Sequence, residues 1–314
     1  MYDKKITSND PSLIIVLIDQ STSMDDVMVR DKETEEIFSV STMVKYVCDH
    51  FLYEIFSKCI RGEEFKPYLD LAVIGYGQGI RSALTKITLE EFPFKIAQLA
   101  DAITKKNKKS QEDTKQDVIE LPRWEWTEER ADGDTPMLEA FSKSREIIEK
   151  WLPSHQDSFP PMIINMSDGA PTDDPKILAM LYEGVIGDVD DTQLLQETKT
   201  IQKLGTKNGT CLICNCNINA SIVKQIEYPA ELLETESGLA HLMFKMSSVI
   251  PDTLRKLAQS LDIDLDYNAK FFVFNADVNS LKKFFKFGTS VANALSSDNN
   301  EAEDSDNNEA EDSD

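Results

Sequence analysis

The stretch LIIVLIDQSTSMDD, Leu13 to Asp26, decides the fold. Six apolar residues, Leu13 to Ile18, run without interruption into Asp19, and Ser21 and Ser23 then place a hydroxyl at every second position. An apolar run bounded in this way predicts a strand buried on both faces. Its oxygen-bearing side chains emerge at the C-terminal tip, the edge at which open α/β sheets bind ligands.

Working outward, alternating strands and helices fill the chain. Val40, Met43, Val44, Val47, Phe51, Ile55 and Cys59 recur at three- and four-residue steps and predict an amphipathic helix over 39–60. Residues 69–77, LDLAVIGYG, predict a second strand with 81–88 as a hairpin partner, and 92–103 predict a helix. The pattern lapses in a polar excursion at about 104–131, which holds a lysine cluster (Lys105, Lys106, Lys108, Lys109) and LPRWEWTEER. Thr135-Pro136 opens a helix with Leu138, Phe141, Ile148 and Leu152 inward. Strands follow at 162–166, 210–218 and 270–274, with helices at 251–260 and 278–287 and an acidic interruption at Asp188–Asp191. The expected architecture is a doubly wound, mostly parallel, Rossmann-like six-stranded sheet with helices on both faces. Residues 1–295 are expected to form one domain. Residues 296–314 repeat SDNNEAED with no large apolar side chain, and are expected to be a disordered acidic tail.

Composition narrows the function. The net charge is −23; the tail supplies nine acidic residues and no basic ones, leaving −14 on the body. That balance excludes a phosphate-binding surface for nucleic acid and suits cations or basic partners. The start, MYDKKITSND, lacks a signal peptide's apolar core, no run approaches a membrane span, and five cysteines suit a reducing compartment. A cytoplasmic protein with no membrane contact is expected.

Three loops then share one chemistry: DQSTS after the first strand, DGDT before Pro136, and SDG after the strand ending at Met166. Taken singly, their hydroxyls and carboxylates suit helix caps and Asx turns. In this order they resemble the von Willebrand factor A (vWA) family and its metal-ion-dependent adhesion site (MIDAS), at Asp19, Ser21, Ser23, Thr135 and Asp168. The resemblance implies that Ser21 and Ser23 ligate a divalent metal, that Thr135 joins directly or through water, and that Asp19 and Asp168 hold the metal or its waters. One coordination position is left for a carboxylate or other oxygen donor from a protein partner. Hydroxyl and carboxylate oxygens suit Mg²⁺, with Mn²⁺ or Ca²⁺ as alternatives. The chain departs from the family pattern at Thr22 and Asp134, where glycine is common; neither is a ligand position. MIINMSDGAPTDDP, FKMSSVIP and FFVFNAD further resemble intracellular bacterial TerY-like vWA proteins. These are adaptors associated with a serine/threonine kinase and a PP2C-type phosphatase in stress or defence systems.

Other signals weigh less. Cys211, Cys214 and Cys216 lie in an apolar strand and read as buried thiols. Gly75, Gly77 and Gly79 read as a hairpin turn, and Trp124 and Trp126 as packing of the excursion, with an aromatic rim for a partner as the rival. His50, His155 and His241 stand in unrelated contexts without a nucleophile motif, so a non-enzymatic interaction module is expected. The alternatives are a metal-dependent hydrolase or phosphatase and a regulatory subunit of a separate ATPase.

Overall fold

The computed structural model describes residues 2–26, 28–30, 37–61, 64–100, 125–184, 186–218, 225–234, 236–276, 279–284 and 286–287. The tail at 296–314, the excursion up to residue 124 with its lysine cluster, and Trp124 lie outside these.

An eight-stranded sheet forms the centre: β1 (Ser12–Asp19), β2 (Leu69–Gly77), β3 (Gly79–Ser82), β4 (Phe94–Lys95), β5 (Met162–Ser167), β6 (Leu212–Ile218), β7 (Ile226–Glu227) and β8 (Phe272–Ala276). Its order is β7-β8-β6-β5-β1-β2-β3, with β4 beside β2. β2, β1, β5, β6 and β8 run parallel; β3, β4 and β7 are short antiparallel additions at the flanks. The parallel strands are buried along their whole length, as two covered faces require. The fold is a doubly wound, Rossmann-like α/β sheet. Its strand count exceeds the expected six by β4 and β7.

β4 also corrects the helix expected from residue 92. Phe94 pairs with Leu71 and buries its ring, and the chain turns helical only from Ile96, as a 3₁₀ helix over Ile96–Gln98 that continues as α-helix at Leu99 and Ala100. Pro93 leaves the preceding residue biased towards extended backbone, so the chain enters this segment as a strand. Residues 101–103 of that expected helix lie outside the described residues.

Among the described residues, the helices that cover the sheet include α1 (Val40–Lys58), α2 (Met137–Trp151), α3 (Pro175–Tyr182), α4 (Gln193–Ile201), α5 (Gly238–Met246) and α6 (Asp252–Gln259), and residues 279–284 are helical as well. α1 buries Val40, Met43, Val44, Val47, Phe51 and Ile55, the stripe read from the sequence, and Ser39 caps it by accepting from the Thr42 amide. α2 buries Ala140, Phe141, Ser144, Ile147, Ile148 and Trp151; Leu138 is only half-buried, and Pro136 occupies the cap position. α2, α4 and α5 lie side by side, α2 against β1 and β2 and α5 against β6 and β8.

The strand order reverses between β1 and β5. At such a switch point the connections leave in opposite directions and open a crevice at the C-terminal edge. In register there, Ile18 pairs with Met166, so Asp19 and Ser167 stand at the same level on adjacent strands.

Candidate functional site

Asp19 ends β1 and folds the chain immediately beyond it. Its Oδ1 accepts from the Ser21 amide at 2.9 Å, an Asx turn, and Met24 anchors the single helical turn Ser23–Asp26 in the core. The turn brings the Ser21 and Ser23 hydroxyls to 3.1 Å of each other. From β5, Ser167 Oγ donates to Asp19 Oδ2 at 2.5 Å, and Ser23 Oγ donates to Asp168 Oδ1 at 2.8 Å.

The second loop closes over the first. Thr22 donates to the Gly133 carbonyl through its amide and its hydroxyl, both at 3.1 Å, and the Asp132 amide donates to the Gln20 carbonyl at 2.8 Å. So close an approach needs glycine on both sides. A Cβ on Gly77 would stand 2.5 Å from the Asp132 and Gln20 carbonyls, and Gly133 has φ +77° with a Cβ position 2.6 Å from the Gln78 amide. Thr22 therefore has a job at the position where the family favours glycine, while Asp134 is exposed.

The third loop, SDGAPTDDP, fixes the rest. Thr172 and Thr135 exchange two hydrogen bonds of 3.0 Å, one from the Thr135 amide to Thr172 Oγ1 and one from the Thr172 amide to the Thr135 carbonyl. Asp173 accepts from the Leu138 and Glu139 amides at the start of α2. Asp174 caps α3 and also accepts from the Leu194 amide at the start of α4. A Cβ on Gly169 would lie 3.7 Å from both Ser23 Oγ and Thr135 Oγ1, so the two hydroxyls face one point.

All five residues singled out in the sequence thus meet in one place. Asp19, Ser21 and Thr135 are buried; Ser23 and Asp168 are half-buried and form the open side. Burial pushes the Asp19 carboxyl up to about 7 against the hydrogen bonds from Ser167 and Ser21, and burial likewise raises Asp168. The nearby arginine, Arg81, is engaged by Asp132 and by Gln20 Oε1. Among the described residues no three His, Cys, Asp or Glu side chains converge. The donors here are two carboxylates and three hydroxyls, a hard-oxygen set that suits Mg²⁺, Mn²⁺ or Ca²⁺.

Sequence reasoning missed Ser167, Thr172 and Asp173, whose roles emerge only from strand register and loop packing. It also missed a polar layer beneath the site. Tyr76 Oη donates to Asn165 Oδ1 at 2.8 Å, Asn165 to Asn215 at 3.0 Å, and Asn215 to Ser247 at 3.0 Å, crossing the core from β2 to the end of α5. Trp126 is buried, as are the free thiols of Cys211, Cys214 and Cys216, as read; Cys48 and Cys59 are free and buried too. The histidines lie elsewhere: His50 beside Glu54, His155 beside Asp70, and His241 on the Leu233 carbonyl.

No family model and no curated protein matches the sequence. Solved structures of similar chain path exist. The vWF domain of the type V pili tip protein Mfa5 from Porphyromonas gingivalis aligns over 91% of this chain and 95% of its own, with 11% identity and a TM-score of 0.45. The PilB minor pilin of Streptococcus sanguinis, as its D319A mutant, aligns over 91% of this chain and 62% of its own, with 9% identity and a TM-score of 0.45. Proximal thread matrix protein 1 of the mussel byssus, solved with a zinc-occupied MIDAS motif, aligns over 90% of this chain with 14% identity and a TM-score of 0.41. This chain spans about half of the mussel structure's length, 48%.

Proposed function

We propose that this chain is a vWA-type interaction module that holds a divalent cation, Mg²⁺ in the first instance, through Asp19, Ser21, Ser23, Thr135 and Asp168, and uses it to capture a protein partner. One observation carries the reading. Three loops, the first more than a hundred residues before the other two, bring three hydroxyls and two carboxylates together at the switch point, and burial raises both carboxylates.

Within this reading the bound cation supplies an open coordination position to a carboxylate or similar oxygen of the partner. The chain's own residues do the rest. Ser167 holds one oxygen of Asp19 and the Ser21 amide the other, which fixes the carboxylate's orientation. Thr172 fixes the backbone on which Thr135 presents its hydroxyl. The half-buried Ser23 and Asp168 leave that side reachable by a partner. The TerY-like resemblance makes a serine/threonine kinase and a PP2C-type phosphatase the first partners to test.

Titration calorimetry with Mg²⁺ tests the site. Wild-type protein is expected to bind one ion, and Ser21→Ala and Asp168→Ala to weaken binding by at least about tenfold each, the order of loss seen when metal-site groups are removed. Partner capture should vanish in EDTA. Equal Mg²⁺ binding by the wild type and both variants would overturn the assignment.

A further inference from the structure

The helix α3, PKILAMLY, carries almost nothing but apolar side chains, yet only Ile177 is buried. A surface helix normally turns its apolar stripe to the core and its polar face to water. Here a second stripe at i, i+3, i+4 and i+7, formed by Pro175, Leu178, Ala179 and Tyr182, faces outward. Leu178 is half-buried, Pro175 and Ala179 are exposed, and Tyr182 is 84% exposed, with Leu181 beside it at 36%.

The helix is firmly mounted at both ends. Asp174 ties its first turn to the start of α4. Gly184, at φ +77°, ends it, and the Ile186 carbonyl then packs where a Gly238 side chain would otherwise stand, at the start of α5. The ridge lies on the same sheet edge as the candidate site, since Asp173, the residue before its cap, holds the start of α2.

Charge identifies the occupant. The segment after the helix, residues 183–191, exposes Glu183, Asp188, Asp190 and Asp191 and contains no Lys or Arg. Around Asp190, Lys245 is bonded to it and Lys199 and Lys176 lie within electrostatic reach, so the segment's four exposed carboxylates outnumber these three cations.

We propose that α3 and the acidic segment behind it form a docking ridge for a basic amphipathic helix of a partner protein, whose apolar stripe covers Leu178, Leu181 and Tyr182 while its lysines and arginines face Glu183 and Asp188. The ridge uses no residue of the candidate cation site, so the two surfaces fail or stand independently.

The test uses the full chain in EDTA and two synthetic peptides of about four helical turns. Both contain the same leucines and lysines: one places leucine at i, i+3, i+4 and i+7, the other spreads it around the helix. Fluorescence anisotropy at about 0.15 M salt should show the first peptide binding at least about tenfold more tightly, since a few buried anchors carry most of an interface. Leu178→Ser with Tyr182→Ser should remove that preference, and Ala179→Lys, which leaves the exposed backbone helical, should do the same by repulsion. Equal binding of both peptides, or a preference unmoved by these variants, overturns the proposal. So does a concentration-dependent dimer abolished by Tyr182→Ser, which assigns the ridge to a second copy. Co-sedimentation with zwitterionic vesicles abolished by the same change assigns it to lipid and also overturns it.

Discussion

Asp19 is where the cost of the site concentrates. In the unfolded chain its carboxyl titrates near 3.8, and in the folded chain near 7. Between those values the native state keeps a proton that the unfolded state has released, so the contribution present below pH 3.8 is lost as pH rises through 7. Relative to Asp19→Asn, the wild type in EDTA is therefore expected to lose up to about 4 kcal/mol of unfolding free energy across that window. Urea denaturation at several pH values measures this, and parallel curves for the two proteins would refute it. A bound cation favours the ionised form, so Mg²⁺ should remove most of the slope. Thr22 makes a smaller point at the same scale. Its two hydrogen bonds to Gly133 join the first and second loops, and Thr22→Gly should loosen cation binding although the residue is no ligand.

Among the elements, α2 owes its start to another loop. Pro136 offers no side-chain cap, and Asp173 accepts from the Leu138 and Glu139 amides instead. Asp173→Ala should cost about 1–2 kcal/mol in urea unfolding, as the loss of a cap does, and should weaken Mg²⁺ binding through the displaced Thr135. Asp49 on α1 does comparable work elsewhere. Its Oδ1 accepts from the Trp126 and Thr127 amides and the Thr127 hydroxyl, while Lys45 holds its Oδ2. Asp49→Ala strands two buried amides, and a loss of about 2–4 kcal/mol is expected, with cation binding unchanged.

These elements show what was legible in advance. β1 announces itself as an unbroken apolar run, β2 and β5 as apolar runs interrupted by Asp70 and Asn165, and α1 by its period. β4 and β7 contain two residues each and have no period to read. The five candidate residues were legible because a short motif names them. Ser167 belongs to that motif's third loop and Asp173 lies just beyond it, but they acquire roles only once the parallel register sets Ser167 beside Asp19 and the loop folds back over α2. Asn165 and Asn215 stood inside strands read as buried, and their bond to each other depends on the pairing of β5 with β6.

For the whole molecule, the proposed cation binding would be linked to folding. An ion that binds only the native chain stabilises it by about 2.7 kcal/mol at a hundredfold excess over its dissociation constant. For a chain of this size, with an unfolding entropy of about 2.1 cal/mol/K per residue, that raises the melting temperature by roughly 4 °C. Differential scanning fluorimetry with Mg²⁺ and with EDTA should show the shift for wild type and none for Asp168→Ala. No helix among the described residues is long and apolar enough to cross a membrane.

The pairing of β1 with β5 has a further consequence, for synthesis. Ser23 bonds Asp168 across 145 residues of chain, and β5 is itself flanked by β6, which ends at Ile218. A chain leaving the ribosome from its N-terminus has Asp19, Ser21 and Ser23 long before it has their counterparts, and β1 must wait unpaired on one side meanwhile. The oxygen cluster therefore assembles only after the chain has been made through Asp168, 145 residues beyond Ser23. Under the proposed function, a chain able to bind the ion is one whose central strands have already found each other, and occupancy would then be a molecular certificate of completed folding.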